Sequence, residues 1–519
     1  MTTSKLLFRG AGLRVVNLIV TLACSFFLAP FVIHSLGDRW YGLWVLIGTF
    51  ISFYGLLDFG LSGATQRYLA HAMPRNDHDE LNTIIVASLV MFSGIALVAF
   101  TITVGLVAFA PVFISRPENL KIFREVTFIM GTSFAISLPF YTQFGILTAN
   151  FRFDYSSYIQ ISKALVRTAL FFLFLEWGYG IVALAVISIC VDMVGYVALL
   201  LLARHLAPWM KLRRRHFSLA KMRELLGFGI FAFVSKVSGK IRFEIDNVVI
   251  AGTLGLAPVT HFNIATKLNG YFFSALDGMV LAPTSLYARY LGEGKHQQIR
   301  DKFLIFSRIK SVLGIFGIGA VLIFARPFIS LWVGPQYLDA FLPLVIIMVA
   351  RIPSLGQSTA TGAIYALGKP QFLAYINLGE AVANLALSLL LVRWYGIVGV
   401  ALGTAIPLAV NCLTVQPVYT CRIIGLPLTT FVRRTLPILV AGAIAQLPLA
   451  YAMTKVDLTA YWQIAAWAIC YYVPLLVLFY SVMLSSEERQ LFADALPSIG
   501  PRLRSFYGST RSTRPSGHG

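Results

Sequence analysis

The chain has 519 residues, 58% of them hydrophobic and only 12% charged, with a mean hydropathy of +0.77. Globular chains carry about 25% charge, so this composition excludes an ordinary soluble protein and points to an all-α polytopic membrane protein. The net charge of +20 does not indicate nucleic acid, because the basic residues sit in short gaps between apolar runs, as cytoplasmic loops do.

The first apolar run follows a basic lead (Lys5, Arg9, Arg14) and continues to Ile33 without a small-residue cleavage site. It reads as an uncleaved first span rather than a removable signal. Runs of about 20 apolar residues then predict fourteen spans: 13–34, 42–64, 82–110, 126–148, 157–176, 180–203, 225–252, 258–285, 303–325, 340–366, 372–393, 396–420, 436–454 and 460–484. With the N-terminus inside, the cytoplasmic segments hold 27 Lys and Arg and the opposite segments hold 7. That bias predicts both termini cytoplasmic. The most basic gap, 204–224, reads as a topology anchor and linker, or as a regulatory or lipid-binding patch. The tail 485–519 reads as a short amphipathic piece followed by disordered basic sequence. Cys24, Cys190, Cys412, Cys421 and Cys470 show no metal or redox spacing and read as packing residues.

Five matches recur in the same order at an offset of about 220 residues. Leu36-Gly37 matches Leu254-Gly255, Asp58 matches Asp277, and Arg67-Tyr68-Leu69 matches Arg289-Tyr290-Leu291. Ile146-Leu147-Thr148-Ala149 matches Ile364-Tyr365-Ala366-Leu367, and Gly180-Ile181-Val182 matches Gly396-Ile397-Val398. The expected organisation is therefore an N-terminal six-helix lobe (1–203), the linker, a C-terminal six-helix lobe (225–420), two added helices (421–484) and the tail. Six is even, so the lobes share one orientation, which is the parallel-repeat plan of alternating-access transporters.

Leu36-Gly37 followed by Tyr41-Gly42-Leu43-Trp44, the run Leu56-Leu57-Asp58-Phe59-Gly60-Leu61, Asp246-Asn247, and Tyr395-Gly396-Ile397-Val398-Gly399-Val400-Ala401 carry a family resemblance. Over 1–484 the chain resembles the polysaccharide-transporter branch of the multidrug/oligosaccharidyl-lipid/polysaccharide exporter superfamily, that of O-antigen-type flippases. The resemblance implies a V-shaped bundle of two lobes in a bacterial inner membrane. It implies a protein that flips an undecaprenyl-diphosphate-linked oligosaccharide from the inner to the outer leaflet, for O-antigen, capsule or exopolysaccharide synthesis. It further implies no catalytic residue, metal or cofactor; membrane lipids and glycan polymerase machinery are the expected partners. The added helix pair is similar to that of members with lipid-linked substrates, where it lines a lipid groove. Where the branch often has Tyr after the Leu254-Gly255 position, this chain has His261-Phe262, a departure with no role assigned at this level.

Ionisable residues inside the spans are the candidate functional residues, because a charge near mid-membrane costs at least about 2.5–3.5 kcal/mol unless it faces a cavity or a partner. On span 225–252, a helical projection puts Lys236, Lys240 and Asn247 on one stripe with Glu244 at its margin, while Arg242 and Asp246 point the other way. Lys240–Glu244 and Arg242–Asp246 can pair at i,i+4, as lobe-holding salt bridges or within a cavity, and Lys236 has no such partner. Lys267, Arg351 and Arg167 are the remaining candidates for a basic cavity lining that would meet a diphosphate. Asp58, Asp246, Asp277, Glu244 and Glu380 are candidate structural or coupling carboxylates. His34 and His261 read as interfacial or packing histidines before proton-coupling ones.

Two rivals follow. A cation-coupled multidrug-type exporter would rest on unpaired carboxylates in the first half, where only Asp58 and Asp192 qualify. A membrane glycosyltransferase or glycan polymerase would need a sizeable external loop, and the longest, 111–125, is short and has two carboxylates. No nucleotide loop, nucleophile elbow or metal-ligand spacing occurs.

Overall fold

The computed structural model describes residues 3–113, 117–279, 284–357, 359–368, 370–482 and 489. Within these bounds the side chains of a few helical residues, Lys236 and Arg242 among them, lie outside the described set. The described residues form helices and no strands. In chain order these are α1 (Thr3–Phe53), α2 (Leu61–Ala72), α3 (His78–Ala108), α4 (Ala110–Phe113), α5 (Pro117–Ser137), α6 (Tyr141–Ala149) and α7 (Phe153–Glu176). Next come α8 (Ile181–Leu206), α9 (Leu219–Thr253), α10 (Leu256–Met279), α11 (Thr284–Gly292), α12 (His296–Trp332), α13 (Phe341–Ala350) and α14 (Ile352–Leu355). The last are α15 (Ala360–Ala366), α16 (Pro370–Val410), α17 (Gln416–Ile424), α18 (Leu428–Ile444), α19 (Leu447–Met453) and α20 (Tyr461–Val482).

Among the described residues, eight helices are long and apolar enough to cross a membrane. Two of them, Gly12–Asp58 and Gln371–Ile424, run 47 and 54 residues, far beyond the roughly 20 that a bilayer requires. Each carries one non-helical residue, Gly37 at φ 75°, ψ 166° and Gly396 at φ 57°, ψ −136°, both within motifs singled out by sequence. Side chains with a Cβ avoid such positive φ. Gly255, the counterpart of Gly37, has φ 97° and separates α9 from α10. The Leu-Gly repeat is thus a backbone requirement, one tight break between two helices.

Some expected spans are interrupted. The 42–64 run leaves α-helix at Phe53 for a 3-10 turn, Tyr54–Asp58, followed by Phe59 and Gly60 at φ 45° and 77°. Asp58 is buried there and caps α2, accepting from Ser62 N at 2.9 Å and Ser62 Oγ at 2.8 Å. The 126–148 run breaks at the 3-10 turn Leu138–Phe140, and its repeat counterpart 340–366 splits into α13, α14 and α15. Pro139 and Pro353 stand at these breaks, where a missing N–H and ring clash interrupt a helix.

The molecule divides into two compact units. The first comprises Met1–Ser274, Trp332–Ala350 and Lys369–Asn411; the second comprises Ala275–Leu331, Arg351–Gly368 and Cys412–Gly519. Two of their boundaries fall inside helices, within α10 and at the end of α12, so compactness divides the chain differently from repeat symmetry. In the first unit, Leu69, Leu81, Ile84, Ile146 and Ala203 build one apolar core from α2, α3, α6 and α8. Val249, Ile250, Val259, Phe262, Ile347 and Val400 build another from α9, α10, α13 and α16. In the second unit, the 428–482 helices pack on α12 through Ile315, Phe316, Ile438, Leu449, Tyr472 and Phe479. Gln446 ties this core together, donating to Ile315 O at 3.2 Å and accepting from Tyr472 Oη at 2.7 Å.

The basic gap is partly ordered rather than a bare linker. Lys211 N donates to Asn82 Oδ1 at 2.7 Å, and the buried His216 ring lies 3.0 Å from Lys211 O and 3.1 Å from Asp79 Oδ1. Trp209 stacks on His78 with ring centroids 5.1 Å apart. In the second unit's loop, Lys295 and Arg289 hold the Glu293 carboxyl below its ordinary range.

Candidate functional site

The charged helix α9 meets α1 and α16 along two different faces, as the helical projection requires. Its Lys240 Nζ lies 2.5 Å from Glu244 Oε1, with side chains 33% and 29% exposed. Glu244 also accepts from Ser52 Oγ of α1 at 2.5 Å, and Asn247 Nδ2 donates to Thr49 Oγ1 of α1 at 3.0 Å. The i,i+4 pair expected for Lys240 and Glu244 is therefore present, and it is anchored on α1.

Asp246 faces the other way and is buried. Thr404 Oγ1 donates to its Oδ2 at 2.6 Å, and Asn384 hydrogen bonds to it as well. Asn384 Oδ1 in turn accepts from Ser388 Oγ at 2.9 Å. Among the described residues, no Lys or Arg pairs with Asp246, so the expected Arg242–Asp246 bridge has no described counterpart; the Arg242 side chain, like that of Lys236, lies outside the described residues. One turn from Asn384, buried Glu380 accepts from Asn411 Nδ2 at 2.7 Å. Glu380, Asn384 and Ser388 stand four residues apart on one stripe of α16. A hydroxyl thus donates to Asp246 Oδ2 and an amide to Glu380 Oε2, so each buried carboxylate is met by a neutral donor. The same hard oxygen donors suit a small cation, although no group of three or more His, Cys, Asp or Glu side chains gathers among the described residues.

Lys267 of α10 lies with its Nζ 5.5 Å from the Tyr41 ring centroid, a cation–π distance. Tyr41 Oη donates to Asn263 Oδ1 at 3.1 Å, and Tyr271 Oη shares a hydrogen bond with Ser25 Oγ at 2.7 Å. No ion pair to Lys267 occurs among the described residues. Arg167 instead has a partner: its Nη2 lies 2.7 Å from Asp192 Oδ1, which also holds Lys163 Nζ at 2.6 Å. Two cations on one carboxylate leave a net positive charge between α7 and α8. Arg351 belongs to the second unit, half-buried at the start of α14. Asp277 is also in the second unit and pairs with Lys310 Nζ at 2.5 Å.

Around the sequence candidates Lys240, Glu244, Asp246, Lys267 and Glu380 the structure places Asn384, Thr404, Asn411 and Tyr41, which the sequence reading did not single out as site residues. The Glu380-Asn384-Ser388 spacing was a readable signal. The partners across from it were not, because they depend on how α9 and both halves of α16 meet.

Residues 36–342, more than half the chain, match the sequence profile described as polysaccharide biosynthesis protein. The chain belongs to this family. The chain is 21% identical over 493 residues to the uncharacterized membrane protein EpsK of Bacillus subtilis (strain 168), covering 91% of this chain and 94% of that one. It is 22% identical to a putative O-antigen transporter of Shigella flexneri, covering 75% and 92%. In fold it is similar to the lipid II flippase MurJ in an inward closed conformation, with TM-score 0.69, 14% identity and 91% and 98% of the two chains covered. The family match agrees with the polysaccharide-transporter resemblance of the motifs, and the solved structure shares the fold.

Proposed function

We propose that this protein is a non-enzymatic flippase that moves a lipid-diphosphate-linked oligosaccharide from the inner to the outer leaflet of a bacterial inner membrane. Its cargo class is that of undecaprenyl-diphosphate-linked glycans used for surface polysaccharide, with a glycan polymerase as downstream partner. Fourteen spans would form two six-helix lobes that alternate access, plus two added helices, with both termini cytoplasmic. Family membership, the transporter named among its relatives and the flippase-like fold support this reading.

The single observation that carries it at the residue level is Lys267, an ammonium within the apolar bundle with no ion pair among the described residues. A protein that kept such a charge for packing alone would pair it. A diphosphate entering the bundle would supply the counter-charge, with Lys240, Lys236 and Arg242 of α9 as further cationic groups.

The test is flipping of a lipid-linked oligosaccharide in proteoliposomes, read by access of an impermeant sugar oxidant. Lys267→Ala, and separately Lys236→Ala with Lys240→Ala, are expected to reduce flipping at least about tenfold, as loss of a charged hydrogen-bonding group does, at unchanged protein level. Wild-type flipping by both variants would return these lysines to a structural role.

A further inference from the structure

We propose that His261 is a proton-binding site that locks a seam between the first and second halves of the sequence, inside the first compact unit. Three segments converge on this ring. Asp38 comes from α1 immediately after the Gly37 break, Asp339 and Tyr337 come from the 3-10 turn Pro335–Ala340, and His261 itself stands in the second turn of α10. Nδ1 lies 2.7 Å from Asp339 Oδ1 and Nε2 lies 3.5 Å from Asp38 Oδ2. Tyr337 donates to the other Asp38 oxygen, and Thr260 Oγ1 donates to the Asp38 carbonyl at 2.7 Å.

Both ring nitrogens thus face a carboxylate oxygen. A neutral imidazole has one N–H and one lone pair, so it satisfies one carboxylate and turns an acceptor towards the other. The imidazolium has two donors for the two acceptors and carries the opposite charge. This arrangement therefore suits the protonated ring better than either neutral tautomer. His261 is only 17% exposed, whereas Asp38 and Asp339 are 36% and 54% exposed, so the carboxylates give protons a route to the ring. The described titratable groups facing it are Asp38, Asp339 and Tyr337. Arg39, next on α1, turns away to Asn119 Oδ1 at 2.7 Å and Glu118 Oε2 at 3.1 Å.

Below this cluster the seam is closely fitted. A Cβ on Gly42 would stand 1.9 Å from Leu256 O, and Tyr41, Thr49 and Ser52 continue the contacts to Asn263, Asn247 and Glu244. By linkage, if the closed seam binds the proton better than the open one, the proton stabilises closure by the same factor. Acid at this end strengthens the lock and alkali weakens it. On the topology proposed above this is the extracytoplasmic end, so an external proton would favour resealing after cargo leaves. The site itself does not depend on what the cargo is.

The experiment reads the seam without cargo. Full-length protein with its five cysteines replaced by alanine would carry spin labels at Ser35→Cys and Leu338→Cys, which flank the cluster, in nanodiscs. Pulsed electron resonance distances are expected to show one short population at about pH 5.5 and a growing longer one towards about pH 8.5. The open-to-closed ratio should rise about three- to fivefold, the scale of a partly exposed ion pair. His261→Gln should show the longer population at both pH values, and Asp339→Asn, at an exposed position, should shrink the pH response. A wild-type protein with no pH response, or a His261→Gln protein that keeps it, overturns the proposal. If His261→Gln does not assemble, an unchanged response in Asp339→Asn overturns it as well.

Discussion

Lys310 and Asp277 form an ion pair whose two ends live in different surroundings, 7% and 64% exposed. Removing the carboxylate strands a buried ammonium; removing the ammonium leaves a carboxylate that water already reaches. Asp277→Ala is expected to cost about 1–3 kcal/mol, less than a fully buried pair because one end is solvated, whereas Lys310→Met should be near neutral. Thermal unfolding in detergent, comparing the two variants, checks the asymmetry; equal losses would refute it. Asp58, its counterpart by repeat, caps α2 instead. Equivalent aspartates therefore do different work, and the sequence match alone could not separate them. His261 carries the same lesson: as a residue it reads as interfacial, and only its two carboxylate neighbours make it a proton site.

At the scale of elements, glycine placement decides how closely helices approach. Gly42 and Gly48 sit in one helix, but a Cβ at Gly42 meets the backbone oxygen of Leu256, whereas at Gly48 nothing lies within 4 Å. Gly42→Ala should destabilise by about 1–3 kcal/mol through overpacking, and Gly48→Ala should be neutral or gain up to about 1 kcal/mol of helix propensity. Unfolding followed by tryptophan fluorescence would distinguish them, and a harmless Gly42→Ala would show that the α1–α10 approach can relax. Much at this scale was legible beforehand. The apolar runs gave helices, and the gaps left between them at 35–41 and 253–257 contain the breaks that the structure places at Gly37 and Gly255. The interruptions near Pro139 and Pro353 were harder to read, because hydropathy averages over a proline that stops only one turn.

For the whole molecule, the proposed cargo and the basic interior together predict a drive. A dianion moving outward across an inside-negative membrane releases about 2.3 kcal/mol per charge per 100 mV. Flipping in proteoliposomes should therefore accelerate when an inside-negative potential is imposed and slow when it is reversed; indifference to the potential would remove this drive. The short gaps leave no large external domain between the apolar runs, so the intramembrane charge is where such a field would act.

The sequence by itself determined that the chain is helical, membrane-embedded and furnished with charges inside its apolar runs, because periodicity, run length and the high cost of buried charge are local or additive properties. Its motifs also pointed to the family that the matched region bears out. Tertiary structure alone decided which charges are neutralised and by what. Lys240 keeps its neighbour on the same helix, but Asp246 accepts from Thr404, more than 150 residues away, and His261 faces Asp38 and Asp339 from two other segments. Such partners are fixed by how helices from distant parts of the chain pack, and no spacing rule along one helix encodes that.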